Sequence, residues 1–123
     1  MKNKNLEINI AHFYPKLLNL YGDFGNVVTL QKRCEWRGIK VNIHAIEVGE
    51  NFEPQAFDFY FLSGGQDNQQ IVVSKELQKH KKALLDARDN NSVILGVCGG
   101  YQLLGHYYQP SENEEIAGFL ILW

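Results

Sequence analysis

The chain has no excess of either charge: 12 Lys and Arg stand against 14 Asp and Glu, a formal net charge of −2 over 123 residues. Without a basic footprint, nucleic acid is not an expected partner. No apolar run is long enough for a membrane span or a secretory signal, and Met1-Lys2-Asn3-Lys4-Asn5 brings charge without one. Cysteine is scarce. Cys34 and Cys98 are the two present, and with no export signal they read as reduced thiols of a cytoplasmic protein. Internal repeats and low-complexity tracts are missing. So is the phosphate-cradling G-x-x-x-x-G-K-[ST] loop, and no G-x-G-x-x-G follows the first apolar segment, which weakens a dinucleotide-binding reading. Leu62-Ser63-Gly64-Gly65-Gln66 spells the signature of ABC transporter ATPases, but without the phosphate loop that match is accidental. No cofactor and no metal is expected.

What is present is an ordinary globular composition, 45% hydrophobic and 21% charged, in a length that fits one domain burying about two-thirds of its unfolded surface. One stretch organises it. Val93, Ile94, Leu95 and Val97 form a short apolar run of the kind that makes a strand buried on both faces. Tyr101, Leu103 and Leu104 resume as a short helix that Gly105 can end. Between them, Gly96-Val97-Cys98-Gly99-Gly100 has the spacing of the G-x-S-x-G nucleophile elbow with cysteine in place of serine. A residue on so sharp a strand-to-helix turn is held in strained backbone, and its neighbours must lack side chains for the two elements to pass. The turn lifts the Cys98 sulfur to the mouth of the sheet, beside helix N–H groups whose partial charge favours an anion. Cys98 is therefore the candidate nucleophile, with the Gly99 N–H placed to bind an oxyanion.

In chain order, Leu6, Ile8 and Ile10 alternate with polar residues toward Phe13 and predict a first strand. A glycine-containing loop, Leu18-Asn19-Leu20-Tyr21-Gly22-Asp23-Phe24-Gly25-Asn26, follows. Val27, Leu30 and Cys34 lie at helical spacing, with Gly38 as a cap and Cys34 as a core residue. Residues 39–48 predict a second strand with Val41, Ile43 and Ala45 on one face. Phe57-Asp58-Phe59-Tyr60-Phe61-Leu62 predicts a third, ending at Ser63-Gly64-Gly65-Gln66-Asp67. One helix is expected from there to about Arg88, with Leu77, Leu84 and Leu85 inward and Lys75, Lys79, Lys82 and Asp86 outward. Asp89-Asn90-Asn91 turns the chain into the strand before Cys98. The alternation predicts an α/β domain, a flavodoxin-like, mostly parallel sheet with helices on both faces. Sites in such sheets lie beyond the carboxyl ends of the strands, which puts Gly64-Gly65 and Cys98 on one edge.

With these residues in hand, the chain resembles the class I (triad) glutamine amidotransferases. Their elbow reads G-x-C-x-G-x-Q, matched here by Gly96, Cys98, Gly100 and Gln102. Within them it is most similar to the CobB/CobQ-like branch, and there to the glutaminase subunits of lipid II isoglutaminyl synthases. The residues behind that narrower likeness are 18–26, 61–67, Cys98-Gly99-Gly100-Tyr101-Gln102 and Gly118-Phe119-Leu120-Ile121-Leu122. The resemblance implies that Cys98 attacks the side-chain amide of L-glutamine, forming a glutamyl thioester and releasing ammonia. It implies oxyanion N–H groups from Gly65 and Gly99, and substrate contacts from Gly64 and Gln102. The ammonia would pass, in a heterodimer, to a Mur-ligase-like partner that uses ATP to activate the glutamate of lipid II.

The family's nucleophile pairs with a histidine well downstream of the elbow, and no histidine here occupies that position. His44 and His80 read as structural or solvated; His12 and His106 lie where either approaches the strand ends. Residues 1–123 are therefore expected to form the N-terminal part of such a domain, without the catalytic-histidine region and with little glutaminase activity alone. The apolar stretch Phe119-Leu120-Ile121-Leu122-Trp123 is expected to leave an exposed edge. Three other readings stay open: a cobyric-acid-synthase-like amidotransferase domain, a non-catalytic binding module on the same scaffold, and a cysteine hydrolase acting on another amide.

Overall fold

The computed structural model describes residues 5–19 and 23–117. Four parallel strands, β1 (Glu7–Phe13), β2 (Lys40–Ile46), β3 (Phe59–Leu62) and β4 (Val93–Gly96), form one sheet in the order β2-β1-β3-β4. The flavodoxin-like α/β expectation is met. Its chain reverses direction of growth at β1, which has β2 on one side and β3 on the other, so a crevice opens at their carboxyl ends.

Each face of the sheet is covered by helix. Helix α1 (Phe24–Glu35) lays Val27, Leu30 and Cys34 over Ile10, Val41 and Phe61, and Cys34 is a half-buried core residue as read from its spacing. Gly38, at φ +73°, ends this segment in the left-handed region. Its N–H bonds the Glu35 carbonyl and the Ile39 N–H returns to Cys34, the double bond of a Schellman stop. On the opposite face, α2 (Asp67–Lys79) and α3 (Lys81–Asp89) bring Val73, Leu77, Leu84 and Ala87 against Ala11, Phe13, Ile46, Tyr60 and Leu62. Burying each of the larger side chains is worth about 1.5–3 kcal/mol. The short helix α4 (Gly99–Leu103) adds Leu103, with Leu104 behind it.

Three sequence expectations are corrected. The single helix expected to Arg88 is two, broken at His80, whose ring is buried and packs on Phe52 at 5.1 Å. That packing turns the chain at a residue with no helix-breaking chemistry of its own. Second, β4 is not buried on both faces: among the described residues it is an outer strand of this sheet, with Val93 54% and Leu95 44% exposed. An apolar groove of about 290 Å³ runs beside Leu95, between α1 and Phe59 and Phe61. Third, Ala45 on the outer strand β2 is exposed, and Ile46, pointing to the other face, is buried instead.

Leu85 is only partly buried, while Lys75, Lys79 and Lys82 are exposed as expected. An antiparallel hairpin, β5 (Tyr107–Ser111) and β6 (Glu114–Ala117), follows α4; the sequence reading had no element there. The loop residues Leu20, Tyr21 and Gly22 and the apolar stretch 118–123 lie outside the described residues.

Candidate active site

The site is built where β3 and β4 end side by side. Leu62 pairs with Gly96 in the parallel register, and the Val97 N–H bonds the Leu62 carbonyl at 2.9 Å, so Ser63-Gly64 and Val97-Cys98 leave the sheet together. Cys98 then takes φ 56°, ψ −121° and caps the start of α4. A non-glycine residue held there costs about 1–3 kcal/mol, retained only where surrounding structure enforces it. The Cys98 side chain is exposed and its sulfur is a free thiol. The strained corner expected from the glycine pattern is present.

The glycines explain how the corner is enforced. A Cβ on Gly96 would meet Leu104 Cδ1 at 2.7 Å and the Gly100 backbone at 3.0 Å, and one on Gly100 would collide with the Leu62 carbonyl. Strand and helix therefore cross with no room for side chains. A Cβ on Gly64 would lie 2.8 Å from the Gly99 nitrogen and 3.1 Å from Cys98 Sγ. Gly64 thus forms the wall against which the sulfur rests. Gly65 is packed next to the loop after β1, where a Cβ would be 2.8 Å from the Leu17 carbonyl oxygen. Among the described residues, no acceptor meets the N–H of Gly65 or of Gly99. Gln102 is half-buried one helical turn after Cys98, and its N–H bonds the Cys98 carbonyl at 3.2 Å.

A polar cleft of about 480 Å³ adjoins Gly65, lined by Pro15, Lys16, Leu17, Asn19, Gln66 and Gln69. Its far wall is the start of α2, fixed by a capping box in which Gln69 Oε1 accepts the Gln66 N–H at 3.0 Å.

No histidine is hydrogen-bonded to the Cys98 sulfur among the described residues. His12 is buried between Phe24 (5.9 Å, stacked) and Phe61 (5.4 Å) on the α1 side of the sheet. Burial lowers its pKa below the ordinary imidazole value, with buried Asp23 pulling the other way, and its Nε2 has no partner. His44 is exposed on β2, and His106 is exposed after α4. His80 sits at the far end of α2, about 20 Å along a helix of that length. Among the described residues no group of three His, Cys, Asp or Glu side chains is arranged to hold a metal ion, and no helix is long and apolar enough to cross a membrane.

The sequence reading missed Gln70, which is buried beside Gly99. A signal was there: Gln70 shares the i, i+3, i+4, i+7 stripe of α2 with Val73, Ser74 and Leu77, all buried.

A strained, exposed cysteine thus stands between glycine-walled strand ends on a flavodoxin-like sheet. The family model of the CobB/CobQ-like glutamine amidotransferase domain matches residues 9–122, and the chain belongs to that family. Among similar proteins are two GatD subunits of lipid II isoglutaminyl synthase (glutamine-hydrolyzing). The one from Staphylococcus aureus is 40% identical over 116 residues, covering 94% of this chain and 48% of that protein. The one from Streptococcus pneumoniae is 34% identical over 120 residues, covering 98% and 46%. A cobyric acid synthase from Listeria innocua is 33% identical over 70 residues, 53% of this chain and 14% of that protein. The chain spans about half the length of the GatD relatives it matches.

Proposed function

We propose that this chain carries the nucleophile of a glutaminase subunit that supplies ammonia for the amidation of lipid II. Cys98 attacks the side-chain carbonyl of L-glutamine, the tetrahedral oxyanion is held by the N–H groups of Gly65 and Gly99, and collapse releases ammonia and leaves a glutamyl thioester. Water then hydrolyses the thioester to glutamate. Losing one oxyanion donor of this kind costs about 10²–10³ in rate. Gly64 and Gln102 line the bound glutamine. The observation that carries the reading is the backbone of Cys98, an exposed thiol at φ 56° walled by Gly64. Strain of that sort is kept at working sites.

The ammonia is passed to a Mur-ligase-like, ATP-consuming partner, which activates the glutamate of lipid II; the GatD relatives, named as subunits of a lipid II synthase, support this acceptor. Ammonia is mostly protonated at neutral pH, so it must be made beside its acceptor. An ATP-consuming partner of this kind favours a cytoplasmic location. We propose that residues 1–123 form the N-terminal part of the amidotransferase domain, with the general base supplied from elsewhere, because among the described residues no histidine is hydrogen-bonded to the thiol and His12 is buried between Phe24 and Phe61. The likeness to cobyric acid synthase favours a second acceptor class, a cobyrinate-like carboxylate.

The test is ammonia release from L-glutamine by the chain alone and with a ligase-type partner, ATP and either acceptor. Slow release alone and partner-dependent amidation of lipid II are expected. Rapid hydrolysis by the chain alone would locate the base in His12 or His106, and amidation of cobyrinate but not lipid II would select the second acceptor. Cleavage of other amides with glutamine ignored would overturn the glutaminase reading.

A further inference from the structure

We infer that Gln70 is a positioning residue for the Cys98–Gly99 corner, its side-chain carboxamide fixing the peptide that presents the Gly99 N–H. The inference rests on the reading of Cys98 as a glutaminase nucleophile and deepens it.

Gln70 lies just past the first turn of α2 and is 3% exposed. Its Oε1 and Cδ occupy the space that a Cβ on Gly99 would need, so any side chain there would collide with the carboxamide. From another direction, that Cβ would also lie 3.1 Å from the Gly64 Cα. Gly99 is therefore gripped between the end of β3 and a side chain of α2. Both grips act on the residue that follows the strained Cys98. The carboxamide oxygen lies against the Gly99 Cα, where a weak Cα–H···O contact is available and an apolar side chain would offer none.

The second observation concerns cost. Gln70 Nε2 is buried with no hydrogen-bond partner. A buried orphan donor destabilises the fold, whereas an apolar side chain of similar length fills the same volume without that loss. Were Gln70 there only to pack, methionine would serve better. A carboxamide kept at a loss of stability, against the glycine that follows the nucleophile, is what a positioning role requires.

The test is Gln70→Met in the intact chain, read by mass spectrometry of the Cys98 peptide under two alkylating reagents. The chloromethyl ketone analogue of glutamine requires the bound pose; the thiolate displaces chloride and forms a thioether. Iodoacetamide requires only an accessible thiol and displaces iodide in the same way. Expected are a higher Tm than wild type, labelling by the ketone slowed by about tenfold or more, as a misplaced reacting group implies, and unchanged labelling by iodoacetamide. A parallel cycle pairs Gly99→Ala with Gln70→Ala: the Tm loss from the alanine at 99 should shrink when position 70 is truncated, because the collision is relieved. Wild-type ketone labelling in Gln70→Met would overturn the inference and leave packing as the role of Gln70. Ketone and iodoacetamide labelling that fall together would also overturn it, since the thiol itself would then be displaced. A wild-type chain that the ketone labels without protection by glutamine would remove the glutaminase reading, and this inference with it.

Discussion

Gly64→Ala tests the architecture of the corner with a single methyl group. The added Cβ would sit 2.8 Å from the Gly99 nitrogen, 3.1 Å from Cys98 Sγ and 3.2 Å from Cys98 Cβ, where ordinary contact begins at 3.4 Å. The nearest atom is backbone, so no side-chain rotation clears it. The strand end and the elbow must separate by roughly half an ångström, and the thiol must leave its place against residue 64. Overpacking of this kind costs about 1–3 kcal/mol of stability. Misplacement by about 1 Å can cost 10²-fold in a positioned reaction, so roughly half that shift should slow acylation by about tenfold or more. The assay is the rate of Cys98 labelling by the glutamine chloromethyl ketone, with iodoacetamide as the control for accessibility and thermal unfolding for stability. The alanine variant should lose ketone labelling, keep most iodoacetamide labelling and melt lower. A variant that melts like wild type and labels at the wild-type rate would refute the claim that Gly64 walls the nucleophile.

Gly25 offers the opposite case: a Cβ there meets nothing within 4 Å, so Gly25→Ala in α1 should raise stability by about 0.4–1 kcal/mol and leave labelling of Cys98 unchanged. Cys98→Gly should melt above Cys98→Ala by about 1 kcal/mol, because only glycine relaxes at φ 56°, while neither variant is labelled at position 98; equal Tm values would argue against stored strain. Stability should also depend on pH through two buried imidazoles. His12 and His80 both have pKa values lowered from 6.5, chiefly by burial, so the unfolded chain binds protons that the folded chain refuses. Their contribution is fully present above about pH 6.5 and is lost as pH falls below that value. Denaturant midpoints between pH 8 and pH 5 should show this decline, and His80→Gln, which cannot titrate, should lessen it.

The corner was legible in the sequence because its demands are local. Glycine at 96, 99 and 100 around a cysteine records a crossing too close for side chains, and the contacts at Leu62, Leu104 and Gln70 show what each missing Cβ would have struck. The parallel order was legible from the alternation of apolar runs and helical spacing. What the pattern hid was tertiary. An apolar run such as Val93-Ile94-Leu95 reads the same whether its strand is inner or outer, and here two of its side chains are substantially exposed. The break at His80 comes from a ring that packs on Phe52, a residue 28 positions earlier in a loop. Glu76 is similar: its carboxylate accepts the Gly49 N–H at 2.7 Å and so ties that loop to α2, though the helix pattern shows only a polar residue. Gln70, like Ser74, was a visible exception on an apolar stripe, and its meaning depended on Gly99, which lies in another element.

The central claim, that Cys98 is a glutamine-directed nucleophile, is tested most directly by substrate protection. The chain is treated with the chloromethyl ketone analogue of glutamine, with and without excess L-glutamine, and both cysteine peptides are quantified. The account expects Cys98 to be labelled, L-glutamine but not D-glutamine to protect it, and half-buried Cys34 to remain unmodified. Labelling of Cys98 and Cys34 at similar rates, indifferent to L-glutamine, would contradict it.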